Sequence, residues 1–206
     1  KKVVYYSFPT IAGLGLTVSA ASEEVCCVAP ETIAAHVLGQ IFDRINPMLE
    51  AAEEGGLSPG LAHCSFNQTR LGLIAKEIIP IPDVTLTSSF YCDQEPKLDN
   101  LLHERYGVHT IFIDNCMDTP WGQWPNYQPE SLEYLGAELN QASEEVEKAL
   151  GFEITKEHWA AGLKASGMLW AGIAQLCELM KACLLNKHPN TGSDHKQVFS
   201  DFFEKI

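Results

Sequence analysis

Val84-Thr85-Leu86-Thr87 and Thr110-Ile111-Phe112-Ile113 are two short runs rich in β-branched residues, and the stretch between them, from Pro96 to Tyr106, sets Leu98, Leu101 and Leu102 on one helical face before Gly107. Neither run alternates cleanly between apolar and polar residues. Short continuous runs of this kind suit strands buried on both faces, and strands separated by a helix pair in parallel. The unit predicts a parallel sheet wrapped by helices, with Gly107 ending the connecting helix.

Toward the N-terminus, further apolar runs of strand length occupy residues 3–8, 25–29 and 61–64. A helix is signalled after the second of these. Pro30 suits a first-turn position, Glu31 complements the positive helix end, and Ile33, Val37, Ile41, Ile45 and Leu49 recur every four residues until Gly55-Gly56. Residues 71–78 read as a shorter helix. Toward the C-terminus, Asp118-Thr119-Pro120-Trp121-Gly122-Gln123-Trp124-Pro125-Asn126 is turn-rich and aperiodic, which predicts a surface loop carrying two large rings. From Ser131 the pattern is helical. Leu132, Leu135, Leu139, Ala142, Val146 and Ala149 form one stripe ending at Gly151. Thr155 then caps a longer helix along which Trp159, Leu163, Trp170, Ile173, Cys177, Met180 and Leu184 step at threes, fours and sevens. The expected fold class is α/β: a Rossmann-like parallel sheet flanked by helices over residues 1–128, followed by a helical segment over residues 129–206.

The chain has 206 residues, 46% hydrophobic and 20% charged, enough for one compact core or two small ones and incompatible with a disordered or fibrous protein. Its 14 Lys and Arg oppose 27 Asp and Glu, a formal charge of −13, and such a surface repels a polyphosphate backbone. Nucleic acid is not an expected partner. No apolar stretch approaches the roughly 18–20 residues needed to span a bilayer, and residues 1–8 read as a strand rather than a signal peptide. Seven Cys, an odd number without the dense spacing of a secreted disulfide scaffold, favour a soluble protein in a reducing cytoplasm. The thiols are then core filler, metal ligands or catalytic groups.

In an open parallel sheet, ligands collect at the carboxyl ends of the strands. Cys64, Cys92 and Cys116 each close or follow an expected strand and can converge on one crevice. They lack the paired Cys-x-x-Cys of most structural zinc sites, so spacing by itself leaves metal ligands and unremarkable thiols both open. Cys26 and Cys27, adjacent on a strand, point to opposite faces, and core packing is the expectation for both. The same expectation holds for Cys177 and Cys183 on or near the apolar helix stripe.

His63-Cys64-Ser65-Phe66-Asn67-Gln68-Thr69-Arg70-Leu71-Gly72 resembles the strand-to-helix turn of the 2-hydroxyacyl-CoA dehydratase and benzoyl-CoA reductase family, in which a Cys followed by Ser or Thr, an aromatic and a downstream Gly holds an iron–sulfur cluster. Ser88-Ser89-Phe90-Tyr91-Cys92-Asp93-Gln94-Glu95-Pro96-Lys97 resembles the family's second ligand motif, a Cys-Asp pair with a Lys four residues after the Asp. Residues 112–120 are similar to the family's next strand and its Asp/Pro loop. Gly151-Phe152-Glu153-Ile154-Thr155 resembles the turn into its linking helices. The resemblance covers roughly residues 31–185, and the order and intervals of four individually loose motifs give it its specificity.

The resemblance implies an iron–sulfur subunit, or the N-terminal part of one, in a low-potential electron-transferring enzyme. Cys64 and Cys92 would be ligands of its cluster, 4Fe-4S by the main family pattern and double-cubane in some members. It implies an acyl-CoA-type thioester substrate undergoing 2-hydroxyacyl-CoA dehydration or aromatic acyl-CoA reduction; double-cubane members reduce small molecules. It also implies a homologous subunit in a homo- or heterodimer and an ATP-dependent iron–sulfur activator protein that supplies the electron. Thiolates are the usual ligands of such clusters and a helix N-terminus stabilises negative charge on sulfur, which suits Cys64. Ser65, Asn67 and Gln68 would then be donors toward cluster sulfur. The family takes a third Cys from a second α/β domain beyond the linking helices, later than Ile206; this leaves a truncated member, a ligand from another subunit, Cys116 in an altered site, or no protein atom at all. Arg70, Lys76 and Lys97 are the nearest cations to offset a polyanionic CoA ester against the overall negative charge. Two other readings stay open: a cluster-free scaffold subunit, and an unrelated α/β binding module with core thiols.

The remaining candidates are weaker. His63 can donate to a cluster sulfur, although a His at a strand end is more often solvated or capped. Gly13-Leu14-Gly15 lacks the third Gly of a dinucleotide fingerprint. Asp93, Glu95 and Asp99 read as the acidic first turn of a helix rather than an acid–base pair. Trp121 and Trp124 either wall an apolar pocket or cover the core.

Overall fold

A computed structural model describes residues 1–8, 10–57, 64–89, 93–114 and 128–185, apart from the side chains of residue 40 and residues 179–185. Four strands, β1 (Lys2–Tyr6), β2 (Val25–Val28), β3 (Val84–Ser88) and β4 (His109–Ile113), form one parallel sheet in the order β2-β1-β3-β4. Lys2 pairs with Val25, Val4 with Val84, and Val84 with His109, and the register runs on without a bulge. The sheet is α/β as expected, and β3, which lies inside it, is buried at every position.

Alternation along the strands divides the apolar side chains between two cores. Val4, Tyr6, Val84, Leu86, Ile111 and Ile113 face one core, completed by Leu14 and Val18 of α1 (Ala12–Ala21) and Ala142 and Val146 of α6 (Pro129–Leu150). Tyr5 faces the other, with Ala52 of α3 (Asn46–Glu54), Leu71 and Ile74 of α4 (Ser65–Ala75), and Leu98 and Leu102 of α5 (Gln94–Tyr106). The Tyr5 hydroxyl donates to the Pro80 carbonyl at 2.7 Å, and burial pushes its pKa up to about 12.

Expected helix ends are largely where the turn chemistry put them. Gly107 and Gly151 close α5 and α6 with φ of 69° and 79°, the left-handed conformation that a side chain disfavours. Thr155 precedes α7 (Lys156–Leu185), and its hydroxyl accepts from the His158 amide at 3.4 Å. Three expectations need correction. The single helix from Pro30 to the glycine pair is broken: α2 (Pro30–Ala34) runs into a π-helical stretch, Ala35–Ile41, and α3 starts afresh. Pro47 cannot continue a helix, and Asp43 turns the chain with φ of 52°. Ile33 and Val37 consequently stay exposed instead of lining a core stripe. α1 occupies a segment read only for its lack of a dinucleotide fingerprint. α4 starts at Ser65, six residues before the expected helix, with Cys64 as its N-cap; residues 61–63 of the expected strand lie outside the described residues.

The chain divides into two compact units, Lys1–Ser166 and Gly167–Ile206. The sheet, both cores and the first part of α7 belong to the first. In the second, the described residues continue α7, with Met168 and Trp170 exposed. Among the described residues no helix is long and apolar enough to cross a membrane.

Candidate functional site

β1 connects to β2 on one side of the sheet while its other neighbour, β3, leads on to β4, so the chain departs in opposite directions at the carboxyl ends of β1 and β3. Such a point opens a crevice between the outgoing connections. α2 and α5 follow β2 and β3, and their N-termini therefore lie along the same edge.

Cys64 is the N-cap residue of α4, with extended backbone (φ −65°, ψ 130°), an exposed side chain, and a carbonyl that accepts from the Gln68 amide at 3.0 Å. Its thiol thus sits at a helix N-terminus whose first-turn amides have no partner within the helix. Three residues on, Asn67 is buried and its Nδ2 has no hydrogen-bond partner. Of the expected donors, Asn67 is the one held inside; Ser65 is exposed and Gln68 half-buried. Cys92, Cys116, His63, Trp121 and Trp124 lie outside the described residues, and so does any pairing of Cys64 with Cys92. Among the described residues no group of three or more His, Cys, Asp and Glu is arranged to hold a metal ion. Cys27 is buried as expected, and burial raises its pKa strongly. Cys26 and Cys177, expected in the core, are both exposed; β2 is an edge strand, and alternation turns Cys26 away from the core that Cys27 joins.

Beneath the crevice lies a charged cluster fully removed from solvent. Arg70 of α4 donates through Nε and Nη2 to the two oxygens of Glu31 at 2.9 and 2.8 Å, and through Nη1 to Asp99 Oδ1 at 2.8 Å. All three residues are at most 1% exposed. The fork of the guanidinium ties the start of α2 to α4 and α5. Both carboxylates hold Arg70 protonated, which outweighs its burial. Arg70 is therefore no cation for an incoming anion, a correction to the sequence reading. Of the other two proposed cations, Lys97 is paired with Asp93 at 2.6 Å and Lys76 is exposed. Glu31 and Glu95 stand in the first turns of α2 and α5 as expected, whereas Asp99 lies beyond the first turn, and Glu31 and Asp99 are fully buried rather than solvated helix-end charges. A charged residue directly before the apolar run Leu71-Gly72-Leu73-Ile74 was the available signal, because an Arg buried with such a run needs acidic partners.

Among the described residues, four buried side-chain atoms have no hydrogen-bond partner: Ser7 Oγ, Asn67 Nδ2, Thr87 Oγ1 and Asp99 Oδ2. Ser7 is the first residue after β1, fixed by donation from its amide to Leu86 O at 2.9 Å, and its hydroxyl faces the carboxyl of Glu95. Thr87 similarly faces Asp99. Burial pushes Glu95 up to about 7, against the pull of Ser7 and Arg70. At the end of β4 a second polar group forms, in which Ser89 and Tyr134 donate to the Asp114 carboxylate at 3.2 and 3.0 Å, and the Asp114 amide donates to Glu138 at 3.0 Å. The carboxyl edge is thus polar along three successive strands over an apolar sheet.

Compared with known families, residues 26–203 match the family described as 2-hydroxyglutaryl-CoA dehydratase, D-component. No curated protein matches the chain significantly.

Proposed function

Because the chain belongs to the 2-hydroxyglutaryl-CoA dehydratase D-component family, we propose that it is the iron–sulfur part of a dehydratase-type component acting on an acyl-CoA thioester. The observation that carries this reading is Cys64: a solvent-facing thiol on a helix N-cap, with a buried, unpartnered Asn67 amide one turn away. A cluster bound through thiolates is anionic, and a helix N-terminus with unpaired first-turn amides suits an anionic group. The residues present fit the group to that extent. Cys64 and Cys92 would hold it, and when bound it supplies one-electron chemistry at low potential.

What the chain itself contributes is positioning and exclusion. The Glu31–Arg70–Asp99 lock fixes the helices that follow β2 and β3, and thereby the backbone around the ligand motifs. The apolar cores beneath keep water from the underside of the site. A homologous subunit would complete the catalytic unit, and an ATP-dependent iron–sulfur activator would feed it electrons, in the cytoplasm.

The test is anaerobic purification followed by iron and acid-labile sulfide analysis with a visible spectrum, on the wild type and on Cys64→Ala, Cys92→Ala and Cys177→Ala. Iron and sulfide in matched amounts, lost in the first two variants and retained in the third, are the expected result. Iron-free, colourless protein from all four preparations would favour the scaffold reading and withdraw both ligand assignments.

A further inference from the structure

Three carboxylic acids surround one cation in the buried cluster. Arg70 spends its hydrogen bonds on Glu31 and Asp99, and Glu95, one helical turn before Asp99, receives none from it. The groups facing Glu95 are Ser7 after β1, Arg70 on α4, Glu31 on α2 and Asp99 on its own helix α5. With all three acids ionised, the interior would carry two uncompensated negative charges, which a low-dielectric environment resists. The acid without a cationic partner is the one that keeps a proton. Glu95 is also the one of the three that is not fully buried, so it alone remains open to exchange with solvent.

Ser7 supplies an independent observation. Its hydroxyl is wholly buried, has no properly formed hydrogen bond, and faces the Glu95 carboxyl at the point between β1 and β3 where the sheet connections part. We propose that Glu95 and Ser7 form a proton-exchange pair at the carboxyl edge, with Glu95 carrying the proton and Ser7 directing it toward an oxygen atom of a ligand bound in the crevice. In the transfer, the Glu95 O–H bond breaks, the proton passes to the ligand oxygen, the electron pair stays on the carboxylate, and solvent returns the proton at the half-buried edge. That the ligand oxygen belongs to an acyl thioester rests on the function proposed above; the proton pair does not.

Infrared titration of the protein, following the C=O stretch of protonated carboxyl groups between pH 5 and 9, tests the pair. The wild type is expected to show a component that disappears around pH 7. Glu95→Gln should abolish that component, and Glu95→Asp should restore a titrating one. Ser7→Ala should keep it while moving its midpoint to higher pH, because the hydroxyl facing the carboxyl no longer favours its ionised form. Circular dichroism verifies that each variant is folded, and Ser7→Ala serves if Glu95→Gln does not fold. A titration unchanged in Glu95→Gln, or a component indifferent to Ser7→Ala, overturns the proposal. Iron content measured on the same samples distinguishes the two readings: the proton pair survives an iron-free wild type, whereas the ligand assignment does not.

Discussion

Arg70 shows how an interior charge ties a fold together without being its main source of stability. Its three hydrogen bonds join residues 31, 70 and 99, which lie far apart in sequence, and none is screened by solvent. Forming such a cluster costs much of what it returns, because three ions leave water. Breaking it is another matter. Arg70→Met leaves two buried carboxylates without a cation, and an expected loss of about 3–5 kcal/mol should appear in urea denaturation. Replacing all three residues together by apolar ones of similar size should cost less than Arg70→Met alone. A triple variant less stable than the single one would show that the cluster contributes net stability. The sequence could not rank Arg70 in this way, since its letter is the same for a surface cation as for a buried one. Only its apolar neighbours on α4 hinted at the difference, and the acidic partners come from helices that are separate in the chain.

Among the helices, close approach decides what each position tolerates. Gly72 of α4 lies so near α3 that a Cβ built on it would clash with the Met48 carbonyl. Gly162 of α7 is pressed in the same manner on the backbone of Thr17 in α1. Gly136 of α6 has nothing within 4 Å of a built Cβ. Gly72→Ala should therefore push α3 and α4 apart, at a cost of about 1–3 kcal/mol or more. Gly136→Ala should stabilise by about 0.5–1 kcal/mol, by removing backbone freedom from the unfolded chain. Paired urea melts check both signs, and equal effects at the two positions would refute the packing account. The same elements mark where sequence patterns are informative. Strands buried on both faces announced themselves as continuous β-branched runs, and Gly107 and Gly151 ended their helices as their type predicts. α1 gave no periodic signal because it has no polar side; Ala12, Leu14, Gly15, Thr17 and Val18 are all buried. The four-residue repeat after Pro30 looked like one helix because periodicity is blind to the left-handed turn at Asp43, although Pro47 marked the break. Cys64 stood out as a candidate because the motif around it is local, whereas the burial that gathers Ser7, Glu95 and Asp99 around Arg70 depends on strand order, which no local pattern encodes.

Charge couples the site to the stability of the molecule as a whole. With 27 acidic against 14 basic residues, the folded surface repels itself at neutral pH, and this repulsion weakens as pH falls toward the carboxylate range. The interior adds a contribution of the same sign. Burial raises Asp99 from its ordinary 3.8, and Glu95 from 4.5 to about 7, so the native state binds more protons than the unfolded chain over this interval. A raised carboxyl stabilises fully below its unfolded pKa, and that stabilisation is lost as pH climbs through the folded value. Stability should accordingly fall from about pH 5 to pH 7 and then level off. Asp83 limits the benefit on the acidic side: Lys2 and the Val3 amide hold its pKa down, so its contribution is present above its unfolded pKa and disappears as pH drops below it. The two contributions above pH 5 respond differently to salt. Surface repulsion is screened within roughly 10 Å at 0.1 M, while the buried cluster is not. Raising salt at pH 8 should recover the surface part, about 1 kcal/mol or less, and leave the interior part in place. Glu95→Gln should do the reverse, removing the Glu95 part of the pH dependence near pH 7 and leaving that of Asp99, while keeping the salt response. Denaturation midpoints over this grid of pH and salt separate the two, and a pH dependence abolished by salt alone would assign the whole effect to the surface.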